Sequence, residues 1–360
     1  MNAILFERQF SERALNQPNA VQKVERYSHS VFGGPKAARI NYTGGELDLW
    51  ELIERLRCPV EIYSDLGDRT WWGFVAGIEL KIGHVAIGLS IDSMYNRVAV
   101  AYNLVESADE TAGDRQTTAW AENTDSSGMY GDRELLQTIS GSTTAHAEAA
   151  RDMILENKKY PIPGLTMSGQ KTQTPTASLL CRGWFSTLDW VYYSAAAADL
   201  DTAAQAAAIA GAGQFINNVS YDNSGITTNA YRDGDGKAGY ELMEILKMGA
   251  SSYRRMLAKM DAARNLVIYQ EPALTSTNWL IDKNGELRDR FDNPIRRETC
   301  PVGMYVRLKD VIPGSADISR LADPTLMFVD EAEYEVATDT LKFMPRDIQN
   351  PWEIGVAKDG

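Results

Sequence analysis

Apolar and polar residues alternate in four short runs between Pro59 and Tyr102, and polar turns with Gly67 and Gly83 separate the first three. Runs of β-branched and aromatic residues with such breaks predict an antiparallel meander or a small barrel. The runs are Val60-Glu61-Ile62-Tyr63, Trp71-Trp72-Gly73-Phe74-Val75, Val85-Ala86-Ile87 and Arg97-Val98-Ala99-Val100-Ala101-Tyr102. Side chains alternate between the two faces of a strand, so we expect Trp71 and Trp72 to point in opposite directions.

A helix is predicted just before these runs, over residues 47–56, because apolar residues recur there at helical spacing: Leu49, Trp50, Ile53 and Leu56. We expect this helix to cover the sheet. At least one of Trp71 and Trp72 should then be buried against the helix that contains Trp50 and Ile53.

Further helices follow from periodicity and from residues that start or stop a helix. They are predicted from Thr143 to Ile154 with stops at Pro161 and Pro163, over residues 202–209, over residues 241–246, and over residues 253–260 with Met256, Leu257 and Met260 inward and Arg254, Arg255 and Lys259 outward. Strands are predicted at residues 177–181, 184–193, 266–269, 304–308, 327–329, 334–336 and 340–343, with a hairpin turn at Asp282-Lys283-Asn284-Gly285.

The order of these elements predicts an α+β fold that is mainly antiparallel β. A polar, acidic stretch over residues 106–115 indicates a loop or a domain boundary. We therefore divide the 360 residues into a β-barrel domain with one helix (1–115), a linking helix with strands (116–200), a helical segment (201–262) and a C-terminal β domain (263–360).

The charge balance argues against a nucleic-acid clamp, because 36 Lys and Arg stand against 49 Asp and Glu, for a net charge of −13. Cys58, Cys181 and Cys300 are far apart and form no CxxC pair, so we expect buried free thiols and no disulfide or zinc cluster. The chain shows no leader pattern and no apolar run of membrane-spanning length, so we expect folding in the cytosol without a membrane.

Candidate chemistry is sparse, and we expect a protein that is not an enzyme and has no catalytic, cofactor or metal residues. Only three histidines could serve as a base, and no nucleophile elbow or phosphate loop accompanies them. A dinucleotide fingerprint at Gly211-Ala212-Gly213 fails because Ile216 takes the third glycine position. The histidines are His29, His84 and His146, and the carboxylates Asp330, Glu331, Glu333 and Glu335 are interpreted as a charged strand edge that resists aggregation.

A calcium loop is suggested by Asp233 and Asp235 around Gly236, but Tyr231 and Leu242 occupy the first and last ligand positions of an EF-hand. We therefore expect no tight calcium site there. Weak calcium binding at Asp233 and Asp235 stays open.

Four stretches together resemble the hub proteins at the tip of phage tails, of the contractile-tail and siphophage hub-like family. In the first, a strand, a turn and a Trp-Gly strand are similar to part of a tube-like barrel. The third resembles the link that leads, in such hubs, into a helix joining two barrel domains. The stretches are residues 60–63 with 71–75, Met94-Tyr95-Asn96-Arg97-Val98, Tyr130-Gly131-Asp132-Arg133-Glu134-Leu135 and Tyr231-Arg232-Asp233-Gly234-Asp235.

This resemblance implies two tube-like β-barrel domains per chain with inserted helical segments, and a homotrimeric ring that joins the sixfold tail tube to a threefold tip or baseplate. The implied partners are copies of the chain, the tail tube or distal tail ring, and a tip or fibre protein, while DNA passes without specific binding. The implied location is the virion, at the tail tip, after assembly in the host cytoplasm.

Two other classes of function stay open at the level of sequence. A carbohydrate-binding or adhesion module would expose several aromatic rings in one groove. A glycan hydrolase would bring together, with shifted pKa values, two or more of Asp189, Asp233, Asp235 and Glu331.

Overall fold

The computed structural model describes residues 1–10, 13–16, 18–105, 113–193, 201–222, 236–247, 255–272, 278–309 and 326–345. The α-helices in these ranges are α1 Glu46–Trp50, α2 Thr124–Tyr130, α3 Thr144–Lys158, α4 Thr202–Ala210 and α5 Ala238–Lys247. Short 3₁₀ helices span Glu51–Arg55, Ile91–Ser93, Trp184–Trp190 and Arg297–Thr299. Asp233 and Asp235 lie outside the described residues.

Strands dominate the architecture, and most of them pair antiparallel, which confirms the α+β class. They are β1 Asn2–Leu5, β2 Ala20–Ser30, β3 Gly34–Gly44, β4 Pro59–Tyr63, β5 Arg69–Ser90, β6 Arg97–Asn103, β7 Arg115–Thr117, β8 Ala121–Glu122, β9 Glu134–Thr138, β10 Gly164–Arg182, β11 Asn218–Tyr221, β12 Met256–Met260, β13 Asn265–Gln270, β14 Asn278–Asp282, β15 Leu287–Arg288, β16 Tyr305–Lys309, β17 Leu326–Glu335 and β18 Thr340–Pro345.

One large sheet unites strands from both ends of the described chain. Its order is β1-β4-β5-β10-β3-β2-β17-β16-β14-β15, and β18 pairs with β17. Two small sheets accompany it, one with the order β11-β13-β12 and one in which β6 pairs with β7, β8 and β9. No ladder closes the large sheet into a barrel among the described strands.

The large sheet nevertheless curls around the core, so that β1 comes close to β2. The Gln22 side chain of β2 bridges the gap: the Ala3 backbone N–H donates to Gln22 Oε1 at 2.8 Å, and Gln22 Nε2 donates to the Ala3 carbonyl oxygen at 2.9 Å. An amide side chain thus takes the place of one backbone pairing. The core inside this curl contains Leu5, Ile40, Tyr42, Ile62 and Trp71.

Strand β5 doubles back on itself, although it is one continuous strand. Gly83 has a φ of +59°, a value that glycine adopts without steric cost. Gly77 and Leu89, on either side of this bend, lie close together, because a Cβ added at Gly77 would stand 3.3 Å from the Leu89 carbonyl oxygen. The Ser90 hydroxyl donates to the Ala76 carbonyl oxygen at 3.4 Å. The turn expected at Gly83 is therefore present as a sharp bend, which β10 follows.

The predicted helix over residues 47–56 forms in two parts, α1 and a 3₁₀ turn. Because a 3₁₀ helix repeats every three residues, Leu49 and Leu52 are buried while Ile53 is half-buried. Trp50 is 51% exposed, so its predicted place in the core is wrong. Trp71 is fully buried in the same core cluster as Leu49 and Leu52, as expected for one of the two tryptophans.

The strand predicted at residues 184–193 is wrong, because Trp184–Trp190 form a 3₁₀ helix. Gly183 lies so close to Pro35 that an added Cβ would stand 1.7 Å from the Pro35 carbonyl oxygen. The hydroxyls of Ser186 and Thr187 donate back to the carbonyl oxygens of Gly183 and Trp184. Such local bonds compete with a β ladder.

The helix predicted over residues 253–260 is also wrong where the structure describes it, because Met256–Met260 form strand β12. All of its residues except Lys259 are buried, and a short apolar run buried on both faces fits a strand as well as a helix. Arg255 does not face outward either. Its guanidinium bonds to Glu271 and Asp330.

The carboxylates of β17 were interpreted from the sequence as a charged strand edge, and this interpretation is wrong. β17 is an inner strand, which pairs with β2 on one side and with β18 or β16 on the other. Asp330 accepts from Arg255 at 2.6 Å, and Glu331 accepts from Lys36 at 2.6 Å. These two carboxylates form ion pairs within the fold. They do not guard an open edge.

The predictions for three helices, one hairpin turn and the cysteines are confirmed. Helices α3, α4 and α5 lie where the sequence placed them, and the Thr143 hydroxyl caps α3 by accepting from the His146 N–H. The turn before Gly285 joins β14 to β15. All three cysteines are buried free thiols. Among the described residues, no helix is both long and apolar enough to cross a membrane.

Candidate functional site

The outer half of β10 is the most exposed ordered β-structure in the described chain, and we call residues 164–175 the β10 edge. Only residues 176–182 of β10 pair with β3, so one side of the β10 edge has no ladder partner among the described residues. Its other side follows β5 from Gly88 to Gly83 with irregular register. Within the β10 edge, the Ser168 carbonyl oxygen and the Gln170 N–H already have partners and Pro175 has no N–H. The other backbone groups on the open side are available to another strand.

The side chains of the β10 edge are suited to an interface more than to open solvent. Leu165 is 69% exposed and Met167 is 79% exposed. Lys171 is the single charged residue in the twelve. Native edge strands are usually short or charged, because a long uncharged edge pairs readily with another chain.

A buried ionic cluster lies where the sheet of β6 to β9 meets the 3₁₀ helix Trp184–Trp190 and α5. Glu134 accepts from Arg97 at 2.6 Å and from the Tyr192 N–H at 2.7 Å. Lys237 Nζ donates to the Trp190 carbonyl oxygen at 3.2 Å and lies 3.8 Å from the Tyr192 ring centroid. Burial lowers the pKa of Lys237 to about 8.

Arg133 completes this cluster from the segment that resembles the hub link. Its guanidinium lies 4.6 Å from the Trp190 ring centroid, and its Nε donates to the Met94 carbonyl oxygen at 3.2 Å. Burial lowers the pKa of Arg133 to about 10. The Arg133 N–H donates to buried Asn96, whose Nδ2 donates to the Gly131 carbonyl oxygen. These contacts hold the link against Met94, Asn96 and Trp190.

The link does not lead into a helix as the resemblance implied. Helix α2 ends at Tyr130 before it, and Glu134 begins strand β9 after it. Gly131 has a φ of +87° and contacts the Phe215 ring, so the chain turns sharply between the two elements. The link is therefore a helix-to-strand connection.

The candidate carboxylates of an enzyme do not meet in the described residues. Asp189 lies against Gly239 at the start of α5, and burial raises its pKa. Glu331 instead binds Lys36 on the large sheet. Asp233 and Asp235 lie outside the described residues, and the described ones include no group of three His, Cys, Asp or Glu placed to hold a metal ion.

The histidines are likewise scattered. His146 is exposed on α3, and His84 is exposed on β5, where its Nδ1 lies 3.0 Å from the Ser168 carbonyl oxygen. His29 is 8% exposed on β2, with a pKa lowered to about 4 by burial. No sequence pattern indicated the β10 edge as a site, because its openness depends on which strands pair.

No family model matches the sequence, and no curated protein matches it. Among solved structures, the chain is similar to a tail protein from Neisseria meningitidis MC58, with 7% identity, a TM-score of 0.41, and coverage of 94% of this chain and 93% of that one.

A type VI secretion component from E. coli, described as structurally similar to two bacteriophage T4 tail proteins, is also similar, with 8% identity, a TM-score of 0.38 and coverage of 92% and 75%. A 43 kDa tail protein of a Shewanella oneidensis prophage has 10% identity, a TM-score of 0.28 and coverage of 48% and 75%. At such low identity and TM-score, these proteins are similar to the chain and do not establish its fold or function.

Proposed function

We propose that this chain is a structural hub protein of a phage tail tip or baseplate, and that three copies form a closed ring through which DNA leaves. The observation that carries the proposal is the β10 edge: twelve residues of β-structure with an open side and exposed apolar side chains. Such an edge is a template for another strand. A second copy of the same chain is the partner that a homomeric ring requires.

A ring also requires a second, different surface, because a heterologous contact between unlike surfaces closes into a ring when its rotation permits. Strand β18 offers that surface, since it pairs only with β17 among the described strands. We infer that the β10 edge of one protomer lies against β18 of the next. Permanent interfaces of this kind bury about 2,000 Å² or more.

The curled part of the large sheet is proposed as one tube-like domain, with Gln22 holding its two ends together. The second tube-like domain and the division of the chain at residues 115, 200 and 262 belong to the same proposal. The net charge of −13 suits a lumen that repels DNA phosphates. The tail tube or distal tail ring and a tip or fibre protein are the proposed neighbours.

The proposal is tested by placing charge on the open edge. The double variant Leu165→Lys with Met167→Lys alters two exposed side chains and should leave the protomer folded, but it should turn the assembly into monomers. Leu66→Lys is the matched control, since Leu66 is 75% exposed in the turn before β5. Sedimentation velocity measures the result, and an edge variant that assembles like the control would refute this role of the edge.

A further inference from the structure

A cleft of about 730 Å³ opens where β2 and β5 of the large sheet meet β12, β13 and the segment after Thr299. Its volume lies in the range of small-ligand sites, about 300–1,000 Å³. Its walls are mainly apolar and aromatic, from Trp72, Met260, Tyr269, Trp279, Val302 and Met304. The side chains come from distant parts of the sequence, so only the fold assembles this cleft.

Two residues that line the cleft each have a buried polar atom with no hydrogen-bond partner among the residues that the structure describes: His29 Nε2 and Trp72 Nε1. The two rings meet edge to face, with centroids 5.9 Å apart. When the proton of neutral His29 is on Nδ1, Nε2 is a bare acceptor. Buried polar groups in native proteins are normally satisfied, and this pair lacks one donor and one acceptor.

The cleft wall also carries a positive charge, on Lys259. Lys259 lines it and, within the part of the chain that the structure describes, makes no ion pair. The other charged residues of the wall are compensated, because Arg69 donates to Glu61 at 2.8 Å and Asp68 pairs with Arg296. The site thus offers one acceptor, one neutral donor and one cation around an apolar space.

We propose that this cleft binds the carboxy-terminal residue of another polypeptide, one with an apolar side chain. The terminal amide N–H would donate to His29 Nε2, and the carboxylate would accept from Trp72 Nε1–H and pair with Lys259. The side chain would fill the apolar space. The proposal does not depend on ring assembly through the β10 edge.

The three groups together select this ligand class. A fatty acid supplies the anion and the apolar chain but no N–H donor for His29. A neutral glycan supplies hydroxyl donors and can stack on Trp279, but it leaves Lys259 without an anion. A chain end presents an N–H and a carboxylate on one residue, and capture of a terminal carboxylate by backbone N–H groups is a known recognition mode.

The test titrates the full chain with three peptides and follows heat by calorimetry. Acetyl-alanyl-leucine with a free carboxylate should bind. Its carboxamide should bind at least about tenfold more weakly, because a hydrogen bond to a charged group is lost or weakened. The analogue methylated on the leucine nitrogen should weaken by a similar factor, because it has no N–H for His29.

Variants connect these losses to the residues. Lys259→Met should abolish the preference for the acid over the carboxamide, and Trp72→Phe should weaken acid binding about tenfold while keeping the ring. Lys283→Met, on the exposed turn between β14 and β15, is the matched control and should bind like the wild type. No binding at millimolar peptide, equal binding of acid and amide, or stronger binding of decanoate or a chitooligosaccharide would each overturn the proposal.

Discussion

Individual residues determine how the large sheet curls and which side chains enter its core. Gln22 stands in for a backbone pairing with Ala3, and Gly73 lies where an added Cβ would stand 2.1 Å from the Arg182 carbonyl oxygen. Trp71 and Trp72 are neighbours in sequence but lie in different surroundings, one in the core and one in the cleft wall. The strand alternation predicted from sequence explains this difference.

Trp71→Ala should lower the free energy of unfolding by about 3–5 kcal/mol, because Trp71 is fully buried and its removal leaves a cavity. Trp50→Ala is the control, since Trp50 is 51% exposed and should change stability by only about 0.5 kcal/mol. Urea unfolding followed by circular dichroism measures both. Similar losses for the two variants would contradict the assigned core.

His29 should make the protein less stable in acid. Burial lowers its pKa from 6.5 to about 4 in the folded state, so between these pH values the unfolded chain binds more protons and stability falls as the pH falls. The loss from this group amounts to about 3 kcal/mol. His29→Gln should flatten that part of the pH profile, and an unchanged slope would show that His29 does not titrate this way.

At the scale of elements, alternation of a polar face with a more buried one located strands such as β4, β13 and β18. The sequence analysis did not predict β2 and β3, although both alternate in burial. It failed where both faces are buried or where side chains bond to their own backbone, as at β12 and at Trp184–Trp190. Periodicity reports the faces of an element and not its partners. For the same reason, neither the open β10 edge nor the cleft that joins His29, Trp72 and Lys259 could be predicted.

A substitution at Gly183 tests the close contact between Gly183 and Pro35, which lies where the sequence predicted a strand. Gly183→Ala would place a methyl group 1.7 Å from the Pro35 carbonyl oxygen, so the backbone must shift, at a cost of about 1–3 kcal/mol. Gly169→Ala on the β10 edge is the control, because an added Cβ there meets nothing within 4 Å. Thermal unfolding compares the two, and equal melting temperatures would contradict the contact.

At the scale of the whole molecule, one curled sheet surrounds the core, and β10 pairs with β5 on both sides of the bend at Gly83. Residues at both ends of the described chain contribute to that sheet, through β1 and β17. The ionic cluster around Arg133 and Glu134 connects the small sheet of β6 to β9 with Met94 and with Tyr192, which follows the 3₁₀ helix Trp184–Trp190. Such an arrangement suits a protomer that must keep its shape within an assembly.

The most direct test of the central claim is a cryo-microscopy map of the purified, assembled protein. The account predicts three protomers around one axis, an open lumen with more Asp and Glu than Lys and Arg, and residues 164–175 of each protomer paired with β18 of its neighbour. A monomer, or a symmetric dimer with no channel and a solvent-exposed β10 edge, would contradict it.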